Sequence, residues 1–566
     1  MKKIKNIIVV LVLLASSSSL LYAQVAPKIG DAIRQAKPPE EVQKRKGKPL
    51  VEIEGIKKDY RPELTESQSL KKVWVKSFSI EGNQHIKSDT LFGLIDGYKN
   101  KALSFSDMQT IASTITRHYR EQGYIVARAY IPVQDMDDGV LEIIIIEGKY
   151  GEFKLLNHSK VNTFLIQSIL DAAKEDAVIN NNELERSLLI ANDLPGVVIS
   201  SADIKPGKET GSSDFTITTE EGKGYDGYLL GDNYGGQYTG EYRLIAAVNV
   251  YAPLNIGDKL SLFGMSTASG DLINGWATYS APLYRNGLRA EIGYSNTHYQ
   301  LGREFRLLDA GGNAQSYHAK LSYPVLKKRA ENLDVFFKFE RNFLTDEVSS
   351  VDFKSDKNIL AFRFGADYEK RNINFFGLDQ QLKANIAYTH GDLYIEDANQ
   401  HALDKAGVNT EGTFDKITFG IEHSTELYQQ LSLETAFKYQ HALGGKNLNG
   451  SEDFSIGGAY GVKLFPVGEL SAENGYVFKI EAKYRLPQLI GLSHSLSVFY
   501  DRGKVDMENP TSTFKSRTLQ DVGLGYYANY RGFFAKAQAA WQVGTEHVIS
   551  EPDRDFRLLA MVGWSF

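Results

Sequence analysis

The sequence predicts a membrane-spanning β-barrel of sixteen antiparallel strands, preceded by two α+β units of order β-α-α-β-β. Three observations predict it. Residues 224–566 divide into strand-length segments whose polarity alternates residue by residue. The connections between them alternate between short and long. Upstream, an internal repeat of about 75 residues carries helical and strand periodicities in the same order twice.

Composition agrees. The chain has 566 residues, with 31 Tyr, 29 Phe and 50 Gly, and a mean hydropathy of −0.30. Alternating barrel strands give this mixture of aromatic content and modest hydropathy. The net charge of −6 offers no footprint for a nucleic-acid partner. The absence of cysteine removes thiol catalysis, disulfides and cysteine-based zinc sites, and suits an oxidising compartment. The 11 histidines are scattered without metal-ligand spacing. No catalytic constellation stands out, so the chain is read as a non-enzyme that needs no cofactor.

Residues 1–23 read as a signal peptide: Lys2, Lys3 and Lys5, then the apolar run Ile7–Ala15, then a small residue, Ala23, before Gln24. No other run is long and apolar enough for a membrane helix. Residues 24–71 read as a periplasmic tether, with Pro38-Pro39, a charge-dense stretch from Glu40 to Lys48, and one short amphipathic helix over Ile29–Ala36.

The first α+β unit spans 73–149. It holds a strand over Val73–Glu81, helices over Ser88–Ile95 and Ser104–Gln122 with Ser106 as cap, and strands over Tyr124–Pro132 and Val140–Glu147. Met108, Ile111, Ile115 and Tyr119 share one helical face. The second unit, 150–221, repeats this with a strand over Gly151–Leu156, helices over Val161–Ala173 and Asn182–Asn192, and strands over Val197–Lys205 and Asp214–Thr219.

The barrel occupies 222–566. Its last strand shows the pattern best: Phe556, Leu558, Ala560, Val562, Trp564 and Phe566 share one face, and Asp555, Arg557, Gly563 and Ser565 the other. An even strand count, short turns on one side and long loops on the other distinguish a membrane barrel from a soluble sandwich. With the α+β units in the periplasm, every long loop falls on the extracellular side.

One long loop holds GGAYGVKLFP, Gly457–Pro466. It is not a phosphate cradle, because Val462 separates Gly461 from Lys463, Leu464 follows, and no helix opens there.

Several stretches resemble the two-partner secretion transporters, outer-membrane proteins of the TpsB or hemolysin secretion/activation type. EQGYIVARAYIPVQ (Glu121–Gln134), GVLEI (Gly139–Ile143) and Glu147-Gly148 resemble the first POTRA domain of that family. DNYGG (Asp232–Gly236) with Thr239-Gly240 is similar to its first barrel hairpin, and Pro253-Leu254 with Gly257-Asp258 to the turn after strand 2. The resemblance covers nearly all of the mature chain. It implies two POTRA domains and a barrel that secretes a large TpsA-type exoprotein as unfolded polypeptide. It further implies outer-membrane lipid around the barrel, and recognition by the barrel-assembly machinery through Trp564 and Phe566. A substrate platform on the first POTRA domain is implied around Tyr124, Val126, Arg128, Tyr130 and Gln134.

The resemblance also places GGAYGVKLFP at the tip of a loop folded into the lumen. Val462, Lys463, Leu464 and Phe465 align with the family's Val-Arg-Gly-Tyr/Phe motif, with lysine for its arginine and leucine for its glycine. The implied wall partner is Asp501, in FYDRG (Phe499–Gly503). Parity agrees: with Leu496, Val498 and Tyr500 towards lipid, Asp501 faces the lumen. Glu481 on strand 12 is a second candidate. A Lys–Asp contact in a wet lumen would be loose and worth about 1 kcal/mol or less. The rival readings are a barrel-assembly insertase of the same superfamily, which usually carries more POTRA domains, a passive porin, and a surface-binding barrel.

Overall fold

The computed structural model describes residues 28–39, 53–54 and 72–566, apart from 137, 176, 177 and 513. The expected signal peptide and most of the tether lie outside the described residues.

Sixteen strands close into one antiparallel barrel. In chain order they are Tyr225–Asp232, Arg243–Tyr251, Lys259–Thr267, Leu272–Pro282, Arg289–Gln300, Ala310–Lys327, Glu331–Val348, Phe353–Phe375, Leu378–Ile395, Gly412–Tyr428, Leu431–Leu443, Asn474–Arg485, Ser493–Asp506, Thr518–Tyr530, Phe533–Gln542 and Phe556–Ser565. They are barrel strands 1 to 16 below. Closure pairs every strand on both sides, which is how a sheet satisfies its backbone groups in lipid. The seam between strands 1 and 16 is short, running from Tyr228 opposite Ser565 to Asp232 opposite Met561.

The middle strands are longer than their alternation suggests, up to the 23 residues of strand 8. Polar residues extend the ladder beyond the apolar band. The connection 391–415, expected as one long loop, is shortened by strand ends and holds a helix, Ala398–Ala406, capped by Asp397.

In the first α+β unit, Ser77–Glu81 pairs parallel with Val140–Ile146, which pairs antiparallel with Arg128–Tyr130. The expected strand over Val73–Glu81 is broken in two. Its first part, Lys72–Val75, pairs instead with Lys101–Ser104, a strand without a clear sequence signal. The long helix, Phe105–Glu121, buries Met108, Ile111, Ala112, Ile115 and Tyr119 against the sheet. Each such large apolar side chain contributes roughly 1.5–3 kcal/mol. Its cap is Ser104 rather than Ser106: Ser104 Oγ accepts from the Asp107 amide and the Asp107 carboxylate accepts from the Ser104 amide.

The second unit repeats the strand order. Lys149–Asn157 pairs parallel with Ser212–Glu221, which pairs antiparallel with Val197–Pro206. A two-residue tether strand, Ile53–Glu54, adds to the free edge of Val197–Pro206. This unit sits against the short turns of the barrel. Arg186 donates to the carbonyls of Asn286, Pro324 and Val325, at 3.3, 2.6 and 3.4 Å. Lys327–Asp193, Arg329–Glu185 and Arg285–Glu175 ion pairs flank it.

Glu147 ties the first unit together. Its buried carboxylate accepts from the amides of Gln84 and His85, at 2.8 and 2.9 Å, and from the Tyr119 hydroxyl at 2.9 Å. His85 Nδ1 lies 2.7 Å from its second oxygen. Burial pushes its pKa up, but the bonds from His85, Tyr119 and Gln84 outweigh burial and hold it below the ordinary carboxylate value. A depressed folded-state value means stability that is in place at neutral pH and is lost as pH falls below the ordinary glutamate value of 4.5. Glu147→Gln is therefore expected to cost about 1–3 kcal/mol at neutral pH and to flatten the acid limb. Hydrogen exchange of the Val140–Ile146 amides against pH checks both.

Candidate functional site in the barrel lumen

The connection 444–473, between barrel strands 11 and 12, turns into the lumen. A short hairpin, Phe454–Ser455 with Ser471–Ala472, carries the GGAYGVKLFP tip inward. The tip is compact because the chain folds back on itself: the Val462 amide donates to the Ile456 carbonyl and the Gly458 amide to the Phe465 carbonyl, both at 2.8 Å. Two glycines are needed for that approach. A Cβ on Gly457 would stand 2.1 Å from the Pro466 carbonyl oxygen, and one on Gly461 would stand 2.2 Å from that of Ile456.

Three wall strands hold the tip. Lys463 Nζ donates to Asp501 Oδ2 on strand 13 at 2.5 Å and stands 4.0 Å over the Phe499 ring. The Leu464 amide donates to Asp521 Oδ2 on strand 14 at 2.6 Å. Arg557 on strand 16 donates to the Phe465 carbonyl at 2.9 Å. Val462, Leu464 and Phe465 are buried among Val477, Phe499, Leu519 and Ala540. Leu464 thus fills an apolar lumen cluster.

The geometry corrects the expectation of a wet, loose contact. The Lys463 and Asp501 side chains are 6% and 1% exposed. Burial makes the pair costly to break, because either partner alone is an uncompensated charge. Glu481 faces the lumen but is not the lysine's partner. It accepts from the Tyr527 hydroxyl at 2.5 Å and lies 3.7 Å from Lys483. Asp521 and Arg557 were not picked out as tip contacts from the sequence. Parity puts Asp521 in the lumen just as it does Asp501, since Val522 and Leu524 are exposed on the outer wall. Below the tip lies a cavity of about 270 Å³ with walls of mixed charge, including Glu434, Glu481, Lys483 and Lys536.

The tether helix, Ile29–Gln35, is inside the barrel. Ile29, Ala32 and Ala36 are buried in the lumen cluster with Tyr234, Tyr238 and Leu448. Arg34 donates to the Gly450 carbonyl of the lumen loop at 2.9 Å. Gln35 Oε1 accepts from the Gly236 amide at 3.1 Å and from Thr239 Oγ1 at 2.6 Å, both in the first extracellular connection. Arg243, held bidentately by Asp232 at 2.7 Å, donates to the Gln35 carbonyl. A Cβ on Gly30 would stand 2.3 Å from the Gly450 oxygen, and one on Gly468 2.8 Å from Asp31. The helix and the lumen loop therefore touch at backbone level.

The expected platform on the first unit is narrower than Tyr124–Pro132, because only Arg128–Tyr130 forms a strand there. Arg128 and Tyr130 are exposed on this edge strand. Tyr124 packs against Tyr119 and His85 in the unit's own core. Val126 packs into the second unit's core and against Gly148. Gln134 bonds to both the amide and the carbonyl of Glu142. The Ala129 amide on the free edge is taken by Thr116 Oγ1 of the long helix at 2.9 Å. Trp564 and Phe566 face outward at the seam, with ring centroids 5.1 Å apart, and the Phe566 amide bonds the Gly227 carbonyl.

The haemolysin secretion/activation protein family ShlB/FhaC/HecB matches residues 211–527, and the ShlB-type POTRA domain matches residues 73–148. The chain belongs to this family. The transporter is 28% identical to the heme/hemopexin transporter protein HuxB of Haemophilus influenzae over 459 residues, 80% of either chain. It is 20% identical to the outer membrane transporter CdiB of Dickeya dadantii over 70% of this chain and 69% of that one. Its fold is similar to that of CdiB from Escherichia coli, with a TM-score of 0.73 at 19% identity, over 89% of this chain and 93% of the other. It is thus an outer-membrane transporter that secretes protein, with its POTRA region in the periplasm.

The buried pair sets a prediction. Lys463→Ala and Asp501→Ala should each cost about 3–5 kcal/mol of barrel stability, and the double variant much less than their sum. Urea unfolding of the purified barrel measures the cycle. The contacts of the tether helix set another: Arg243→Ala, which frees the Gln35 carbonyl, should raise the frequency of open events in planar-bilayer conductance.

Proposed function

We propose that this transporter takes up a large TpsA-type exoprotein as unfolded chain at its first POTRA domain and passes it through the barrel lumen. The observation that carries this reading is the packing of the lumen. Two separable elements, the Ile29–Gln35 helix and the GGAYGVKLFP tip, occupy it, and both are held by non-covalent polar contacts. A passive porin, whose lumen is an open water-filled channel, has no use for an interior stopper at the end of a periplasmic tether. Export requires the helix to leave and the loop to shift, opening a path along the mixed-charge wall below the tip. No nucleotide is needed: folding of the cargo outside prevents back-sliding.

Cargo recognition is assigned to the exposed edge carrying Arg128 and Tyr130, with the fully exposed Val133 beside it. An extended chain docks there through side chains in the groove by the long helix. Thr116 occupies the central amide, so backbone pairing is weaker than at an open edge. Greater similarity to HuxB than to CdiB favours a cargo concerned with heme or hemopexin over other classes. The barrel-assembly machinery reads Trp564 and Phe566, which stand exposed at the seam. Surrounding outer-membrane lipid covers the outward apolar faces.

Co-expression with a large exported TpsA-type protein as cargo tests the reading. Secreted cargo should appear in the medium only with the transporter present. Arg128→Glu with Tyr130→Ala should lower it several-fold without altering urea stability of the barrel. Equal secretion by that variant would remove the platform from this edge.

A further inference from the structure

The outer wall of barrel strand 13 carries a second feature. Leu496 and Val498 are 50% and 53% exposed on its outer face, while Ser497, Phe499 and Asp501 are buried towards the lumen. The same alternation turns Tyr500, Arg502 and Lys504 outward. Phe478 and Gln520 stand opposite Arg502 on the flanking strands, and Tyr476 opposite Lys504. On strands 13 to 15 the outward apolar band ends at the row Tyr500, Val522 and Trp541, with Phe556 packed on Trp541 at 5.4 Å. Such an aromatic rim marks the edge of the hydrocarbon layer. Arg502 and Lys504 take the next two outward positions on the extracellular side, at headgroup depth.

Arg502 stands there without a counter-charge. By register it lies beside Tyr500 on its own strand and diagonal to Tyr476 on strand 12, and it has no ion pair among the described residues. Tyr500 donates its own proton to Gln520 Oε1 at 2.6 Å, which leaves its oxygen to accept from the arginine. Lys504 is paired with Asp506 at 3.1 Å, both side chains remaining partly exposed. An exposed arginine fork flanked by phenols matches a phosphate, and the outer leaflet of an outer membrane presents phosphates beyond such a rim.

We propose that Arg502 and Lys504 form a binding site for the phosphate of an outer-leaflet glycolipid, with Tyr476 and Tyr500 orienting the arginine. The site is back to back with the tip lock. Asp501, which holds Lys463, is the residue before Arg502 and points the other way. A bound lipid therefore steadies the strand segment that grips the lumen loop.

Native mass spectrometry of the full-length protein in detergent, with bis-phosphorylated lipid A as probe, tests this. Wild type should retain the lipid. Arg502→Gln with Lys504→Gln should lower the bound fraction roughly tenfold or more, and Arg502→Lys should fall between. Dephosphorylated lipid A should bind weakly and equally to all. Folding of each variant is checked by its heat-dependent shift on gels. If the double variant fails to fold, Arg502→Lys and Lys504→Gln alone carry the comparison. Unchanged retention in the folded variants would overturn the site, as would equal binding of the dephosphorylated lipid. Full competition by millimolar inorganic phosphate would make it a free-anion site and overturn the lipid assignment.

Discussion

A closed sheet gives each strand residue one of two destinations, lipid or lumen, and neighbours in sequence take opposite ones. Much of this transporter follows from that constraint. Strand 13 shows it within a few residues: Leu496 and Val498 meet lipid, Phe499 packs under the lumen loop, Asp501 holds Lys463, and Arg502 faces out again. A one-residue slip would bury Arg502 in the lumen cluster and expose Asp501 to lipid. Register is therefore specified from both faces at once.

The lumen lock uses burial in place of geometric fit. An arginine at the tip would offer a fork to two carboxylate oxygens; Lys463 offers one point charge, and uses it on Asp501 alone. The structure compensates by excluding water. Phe499 lies under the ammonium, Val462, Leu464 and Phe465 seal its surroundings, and Asp521 and Arg557 take the tip's backbone. Leu464 adds to the same seal, since it supplies apolar bulk beside the pair.

The sequence was most legible where the two-residue period is long and unbroken. The barrel strands fall close to their alternating segments, and parity alone places Asp501 in the lumen and Trp564 outside. Helices with a clear apolar face were equally legible, as Ser88–Ile95 and the stripe from Met108 to Tyr119 show. Legibility failed where a residue's neighbour is distant in the chain. Tyr124, Val126 and Gln134 read as one platform, but a ring stack, a domain junction and an amide clamp claim them separately. Asp521 had the parity signal but no motif to draw attention to it. The Ala398–Ala406 helix sits in a connection where polarity is uniform and period carries little information.

The joint between the second α+β unit and the barrel has a different kind of consequence. Arg186 grips Asn286, Pro324 and Val325 by their carbonyls. A carbonyl is the same whatever side chain follows it. The turns it holds can therefore vary in sequence while the joint persists, provided their backbone path is kept. For these three backbone contacts the burden of invariance falls on one arginine, while Tyr323 and the ion-paired Arg285, Lys327 and Arg329 add side-chain ties, and a lysine at 186 could not span three acceptors with a planar fork. Sequence drift in the turns and loss of Arg186 are thus unequal risks for the angle at which the periplasmic arm meets the barrel mouth.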